Sequence, residues 1–161
     1  MKHFFVFSFA SVLFLSFGGC SPSNRPDGMP PLHPCTVTIT QNGSPAADVS
    51  VRFVTKETSA WPVTGTTDAS GKAAMVTYGQ FKGAPLGEYT VVVSKTESES
   101  EGGATNEYSS GITRIFSLIA VEHTQEETSK LQITVQKGSN AETFEVGEPV
   151  RILVDTIRPG T

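Results

Sequence analysis

The sequence predicts an all-β fold, an antiparallel β-sandwich, and three observations carry that expectation. Beyond Cys35 apolar residues recur at every second position in five separate segments. The same segments are rich in valine and threonine, whose branched side chains suit a pleated, half-buried surface. Short runs of Gly, Pro, Asn and Asp separate them. One apolar and one polar face per short strand, with turn residues between strands, is the pattern of antiparallel sheets packed on one core.

The elements follow in order. In 36–40, Val37 and Ile39 point one way and three threonines the other. Asn42-Gly43 then supplies two residues that tolerate positive φ, as a tight hairpin turn requires. In 49–54, Val49, Val51 and Phe53 share a face opposite Ser50 and Arg52. Asp68-Ala69-Ser70-Gly71 reads as a turn with aspartate at its first position and glycine at its fourth. Residues 83–87 release the chain into a strand carrying Tyr89, Val91 and Val93 on one side. The run 96–101 places Glu97, Glu99 and Glu101 at alternate positions and, beside Gly102-Gly103, reads as a solvated, mobile hairpin tip. Residues 106–130 are the one stretch that reads as a helical or irregular insert. Alternation resumes with Leu131, Ile133 and Val135, and again with Val150, Ile152 and Val154.

The N-terminus is written differently. Six of the ten phenylalanines lie within the first 19 residues. Lys2 and His3 precede an apolar run from Phe4 to Phe17. A helix crossing a bilayer needs about 20 apolar residues, so this run has the length of a signal-peptide core instead. Gly18-Gly19-Cys20 follows, two very small residues and a cysteine. That triplet resembles the lipobox of bacterial lipoproteins, although Phe17 stands where leucine is usual. The resemblance implies cleavage between Gly19 and Cys20, a thioether-linked diacylglycerol on Cys20 and an acyl chain, palmitate or similar, on its new amino group. An ordinary secretory signal ending near Gly19 is the alternative. Residues 21–34 contain five prolines and read as a semi-extended tether.

The motifs "TITQNGSPAADVSVRFV", "GTTDASGKAAM" and "GAPLGEYTVVVSK" occur in that order, and "TSKLQITVQKGSNAETFEV" follows. Together they resemble the bacterial carboxypeptidase regulatory-like, or transthyretin-like, domains. Gly43, Pro45, Val51, Phe53, Thr67, Asp68, Gly71, Pro85, Gly87 and Tyr89 stand at the positions that carry the resemblance. It covers about residues 35–146 and implies an Ig-like or prealbumin-like sandwich of about seven strands with no catalytic residues of its own. The chain then divides into a signal peptide (1–19), a lipidated cysteine with its tether (20–34), the sandwich (35–146) and a C-terminal extra strand or tail (147–161).

Without Lys2, residues 20–161 carry 11 basic against 16 acidic residues, a net charge of −5. That argues against nucleic acid, whose phosphates call for a basic patch. Asp68, Ser70 and Gly71 begin like a calcium loop, but no carboxylate follows before Glu88, and a turn aspartate is the simpler reading. His33 falls in the tether, and His123 beside Glu122, Glu126 and Glu127 has no second histidine for a zinc site. No nucleophile elbow, phosphate loop or dinucleotide fingerprint is present, so no catalytic, metal or cofactor residue is expected. Cys35, at the start of an alternating strand, reads as a small buried hydrophobe, with a disulfide between chains, or one to Cys20 if Cys20 is not acylated, as the alternatives. Trp61 reads as core or edge packing, with ligand stacking as its alternative.

The expected function is therefore a non-enzymatic, lipid-anchored structural or protein-interaction module of the cell envelope. It is held at the outer membrane or the periplasmic face through Cys20. The alternative is an accessory module that binds envelope polysaccharide, which a solvent-exposed Trp61 flanked by Tyr78 or Tyr108 would favour.

Overall fold

The computed structural model describes residues 25–55, 61–101 and 112–157. The signal peptide, Gly19, Cys20 and Tyr108 lie outside the described residues. The chain is built from strands: β1 (Leu32–His33), β2 (Cys35–Gln41), β3 (Ser44–Pro45), β4 (Ser50–Val54) and β5 (Val63–Thr66) come first. The short β6 (Lys72–Ala74), β7 (Val76–Thr77), β8 (Phe81–Lys82) and β9 (Ala84–Pro85) lead into the long β10 (Gly87–Ser94). Next come β11 (Thr96–Glu101), β12 (Ile112–Ser117), β13 (Gln132–Val135), β14 (Asn140–Glu145) and β15 (Ile152–Ile157). A 3-10 turn at Val121–His123 is the only helical piece among the described residues.

Two sheets make a sandwich. One has the strand order β13-β10-β4-β5-β7-β8, and the other is centred on β2, flanked by β14 and by β3 and β6. The alternation predicts which side chains meet between them. Val37 and Ile39 from β2, Val51 and Phe53 from β4, Val91 and Val93 from β10, and Ile133 and Val135 from β13 all join one buried cluster. Several of these, Val37, Ile39, Val51, Val91 and Val93 among them, are wholly enclosed. Each such side chain removed from water contributes roughly 1.5–3 kcal/mol before chain entropy is counted. Leu131 and Phe144 pack against the rim of the cluster. All sandwich pairings are antiparallel except β14 with β2, which is parallel because the chain changes sheets between β13 and β14.

The turn motifs hold the two layers in register. Asn42 (φ 50°) and Gly43 (φ 71°) make the positive-φ turn that joins β2 to β3. The Asp68 carboxylate accepts the Ser70 amide at 2.8 Å, the Ser70 hydroxyl at 2.7 Å and the Lys72 amide at 3.1 Å. Gly71 donates to the Asp68 carbonyl and accepts the Ile39 amide, and a Cβ there would stand 2.5 Å from the Ile39 carbonyl. Only glycine fits that approach. Buried Thr67 donates its hydroxyl to the Ala46 carbonyl at 2.7 Å and accepts the Val49 amide at 2.8 Å. Tyr89 stacks on Phe53 with ring centroids 5.3 Å apart and donates its hydroxyl to the Pro85 carbonyl.

Four expectations are corrected. The segment around 150–154 is not a core strand: β15 begins at Ile152 and is exposed along its whole length. Residues 96–101 are not a hairpin tip but a regular strand paired with β12. The insert 106–130 contains the strand β12 as well as the 3-10 turn. Ordered pairing also starts before Cys35, because Leu32 and His33 pair with Pro85 and Ala84.

Candidate functional site

Strands β11, β12 and β15 form a further sheet, separate from the two of the sandwich, in that order. It grows out of the sandwich where β10 passes through Lys95 into β11. Lys95 is held at this junction by its ammonium on the Ala47 carbonyl, at 2.8 Å, and by the Leu118 amide on its own carbonyl. None of residues 96–100, 112–116 or 152–157 belongs to the buried core. We call this sheet the ribbon.

Register assigns its faces, because directly opposed residues share a side. Glu97 lies opposite Phe116, Glu99 opposite Arg114, and Phe116 opposite Leu153. Arg151, just before β15, binds this face. Its guanidinium forms ion pairs with Glu97 and, at 3.0 Å, with Glu99, and lies 3.6 Å over the Phe116 ring centroid. Two carboxylates that would otherwise repel are thus bridged by one cation, and Glu97 above all, then Glu99, holds that guanidinium's pKa above its ordinary value. The opposite face is polar and apolar by turns, with Ser100 and Thr113 hydroxyls 3.2 Å apart and Ile115 opposite Asp155. A bulge interrupts the pairing between Ile115 and Phe116, leaving Val154 as the extra residue of β15.

The outstanding property of the ribbon is its far edge. Ile152, Leu153, Val154 and Ile157 are 38%, 52%, 48% and 51% exposed, four of the seven large exposed hydrophobic side chains among the described residues. Single exposed apolar residues are ordinary, but a row of them on a strand at the edge of its sheet is a template for pairing. The opposite edge, β11, carries Glu97 and Glu99 and has the charged character that protects natural edge strands.

A smaller feature lies at the end of the larger sheet. Trp61, half-buried, meets Tyr78 edge-on at 6.1 Å between ring centroids. Tyr78 is 52% exposed and occupies φ 55°, a strained conformation for a bulky side chain. Its amide donates to the Pro62 carbonyl at 2.8 Å, which ties the two aromatics together through the backbone. Trp61 is thus neither fully exposed nor core, and it is flanked by Tyr78.

The remaining sequence candidates are structural. Cys35 is a buried free thiol in the core, and burial pushes its pKa up to about 11, so it is a packed hydrophobe and not a nucleophile. Asp68 is the turn aspartate described above, and the Ser70 hydroxyl is first among the hydrogen bonds that lower its pKa. His33 accepts the Gly138 amide through Nδ1 at 3.3 Å. His123 stands beside Glu122, its Nε2 3.9 Å from the carboxylate, and its buried Nδ1 has no hydrogen-bond partner among the described residues. Among the described residues no three His, Cys, Asp or Glu side chains gather as metal ligands would, and no helix is long and apolar enough to cross a membrane.

Sequence reasoning missed two groups. Arg151 and Phe116 belong to no motif, and Arg151 lies 54 positions from Glu97, so no local signal could have found the clasp. Glu145 was missed as well. Its exposed carboxylate accepts the Thr40 hydroxyl at 2.8 Å, the Asn42 amide at 2.8 Å and the Gly43 and Gly147 amides at 3.1 Å, which lowers its pKa, the Thr40 bond foremost. Compared with known proteins, the chain matches no family model, no curated protein and no solved structure.

Proposed function

We propose that this protein is a non-enzymatic, lipid-anchored module of the bacterial cell envelope that docks protein partners through its ribbon. The observation that carries the docking reading is β15, an edge strand paired on one side with β12 and, among the described residues, with no strand on its other side, which holds four large apolar side chains in water beside the buried sandwich core. Sequence supports the anchor: an export signal of bilayer-insufficient length ends in Gly18-Gly19-Cys20. Several acyl chains on Cys20, at about 0.8 kcal/mol per buried methylene, would hold the protein at the outer membrane or periplasmic face. The residues before β1, with Pro22, Pro26, Pro30 and Pro31 among them, then space the domain from the lipid surface. Replacing Cys20 with Ser should move the protein from the membrane to the soluble fraction, and unchanged retention would sink the anchor. For docking, a photo-crosslinker at Leu153 should yield discrete protein adducts in intact cells where one at Thr134, on the exposed side of the sandwich, yields none. Equal labelling at the two positions rejects the ribbon as the docking surface.

A second reading rests on Trp61 and Tyr78. A half-buried indole braced against an exposed phenol, both at one end of the sheet, is a surface on which a sugar ring could stack, so the same scaffold could bind envelope polysaccharide. Trp61 is the only tryptophan in the chain, so its emission reports directly. Polysaccharide that leaves the emission and its acrylamide quenching unchanged excludes this reading.

A further inference from the structure

The sandwich has two ends, and they carry different chemistry. We propose that the end holding Trp61, Tyr78 and Leu86 seats on the phospholipid leaflet that carries the Cys20 anchor, with the ribbon held at the opposite end, away from the lipid. The inference rests on the anchor reading and adds which face of the domain meets the membrane.

Topology carries it first. The pairings put the starts of β2, β5 and β10 and the ends of β4, β7 and β13 at one end of the sandwich. That end therefore collects the β4–β5 connection with Trp61, the β7–β8 hairpin with Tyr78, the approach to β10 with Leu86, and the β13–β14 turn with Lys137. The tether enters there too, because Leu32 pairs with Pro85, the neighbour of Leu86. The ribbon leaves from the other end, where β10 runs out through Lys95.

Reach comes second. Cys20 stands five residues before Arg25, so no more than about 18 Å separates their Cα atoms. Beyond Arg25 the tether folds back on itself: the Met29 amide donates to the Pro26 carbonyl, and the Arg25 guanidinium donates to the Pro30 carbonyl. The spacing it gives is short, and it leaves this end of the domain facing the leaflet.

Surface chemistry comes third. Outside the ribbon, three large hydrophobic side chains among the described residues are exposed, and Tyr78 and Leu86 are two of them. Trp61 and Tyr78, in edge contact, are the aromatic types that favour the boundary between hydrocarbon and water. Tyr78 holds a φ of 55°, which Gly or Asn would adopt with less strain, so the chain keeps a phenol at this tip against its backbone preference. Charge agrees: Asp27 and Glu88 at this end are matched by Arg25 and Lys137, whereas Asp68, Glu97, Glu99 and Glu145 lie at the far end.

The lipidated chain, reconstituted into vesicles of phosphatidylethanolamine and phosphatidylglycerol, tests the seat through Trp61, its only tryptophan. Lipid bearing a nitroxide near its headgroup should remove roughly half of the Trp61 emission, since interfacial side chains sit about 5–10 Å deep, within range of that label. A chain with Trp61→Phe and Leu153→Trp, which moves the reporter to the ribbon, should keep its emission on the same vesicles. Tyr78→Asn with Leu86→Ser should restore the Trp61 emission while the protein still floats with the vesicles through Cys20. Trp61 emission untouched by the nitroxide lipid, in a protein that floats, overturns the seat and leaves the anchor standing. Emission that answers to envelope polysaccharide but not to that lipid also overturns it, and gives the surface to sugar. Equal quenching at positions 61 and 153 rejects the orientation, and a protein that does not float removes anchor and seat together.

Discussion

Strand β10 in the sandwich and strand β15 in the ribbon are written in the same hand. Both are valine-rich or isoleucine-rich and nearly free of charge. Yet Val91 and Val93 are wholly buried, whereas Ile152, Leu153, Val154 and Ile157 stand a third to a half in water. The difference comes from the second layer. β10 faces β2 across the core, while none of the described ribbon residues joins a buried cluster. Alternation reports that a strand wants to be covered, and the rest of the fold decides whether anything covers it.

The comparison can be broken most sharply by truncation. Ile39→Ala in the core should cost about 2–5 kcal/mol and lower the midpoint of the whole domain in chemical denaturation. Leu153→Ala in the ribbon should stay within about 0.5 kcal/mol, as surface changes do. Equal losses would show that ribbon and sandwich are one cooperative core.

Alkaline pH should act next, and on the sandwich alone. The buried Cys35 thiol keeps its proton up to about 11. Its unfolded counterpart ionises near 9.0, so the thiol's contribution is complete below that value and is lost as pH rises towards 11. The loss is of the order of 2–3 kcal/mol. Burial raises the Tyr89 phenol in the same direction. Cys35→Ala should flatten this slope, and an unchanged slope would place the cause elsewhere.

Gly71→Ala comes third. Its Cβ would meet the Ile39 carbonyl at 2.5 Å from a backbone at φ 74°, so a loss of at least ~1 kcal/mol is expected in thermal melts. Acid should act more gently and at the turns. The folded values of Asp68 and Glu145 are depressed, so what they contribute is present above the ordinary carboxylate range and is lost as pH falls below about 4. Asp68→Asn and Glu145→Gln together should shrink that acid-side slope. Arg151→Ala should have the smallest effect on overall stability. It should instead speed amide exchange in β15 while leaving β10 protected; equal change in both strands would contradict the independence of the ribbon.

Much of this was legible in the residues. Val37, Ile39, Val51, Phe53, Val91, Val93, Ile133 and Val135 read as core and are core. Asn42-Gly43 and Asp68 read as turns and make them. Those features are local: a two-residue period or a turn preference is set by neighbours along the chain. The ribbon was misread because its features are not local. Arg151 meets Glu97 across 54 positions, and Glu145 reaches Asn42 across 103.

The sequence by itself determined that the chain would fold as strands, where the turns would fall and which side of most strands would face inwards, because backbone sterics and side-chain alternation act within a few residues. Only the tertiary structure decided that β14 runs parallel to β2, that three carboxylate-bearing and apolar strands stand outside the sandwich, and that β15 ends as a free edge. Pairing partners and layers depend on contacts distant in sequence, and no local pattern encodes whether a second sheet will arrive to cover an apolar face.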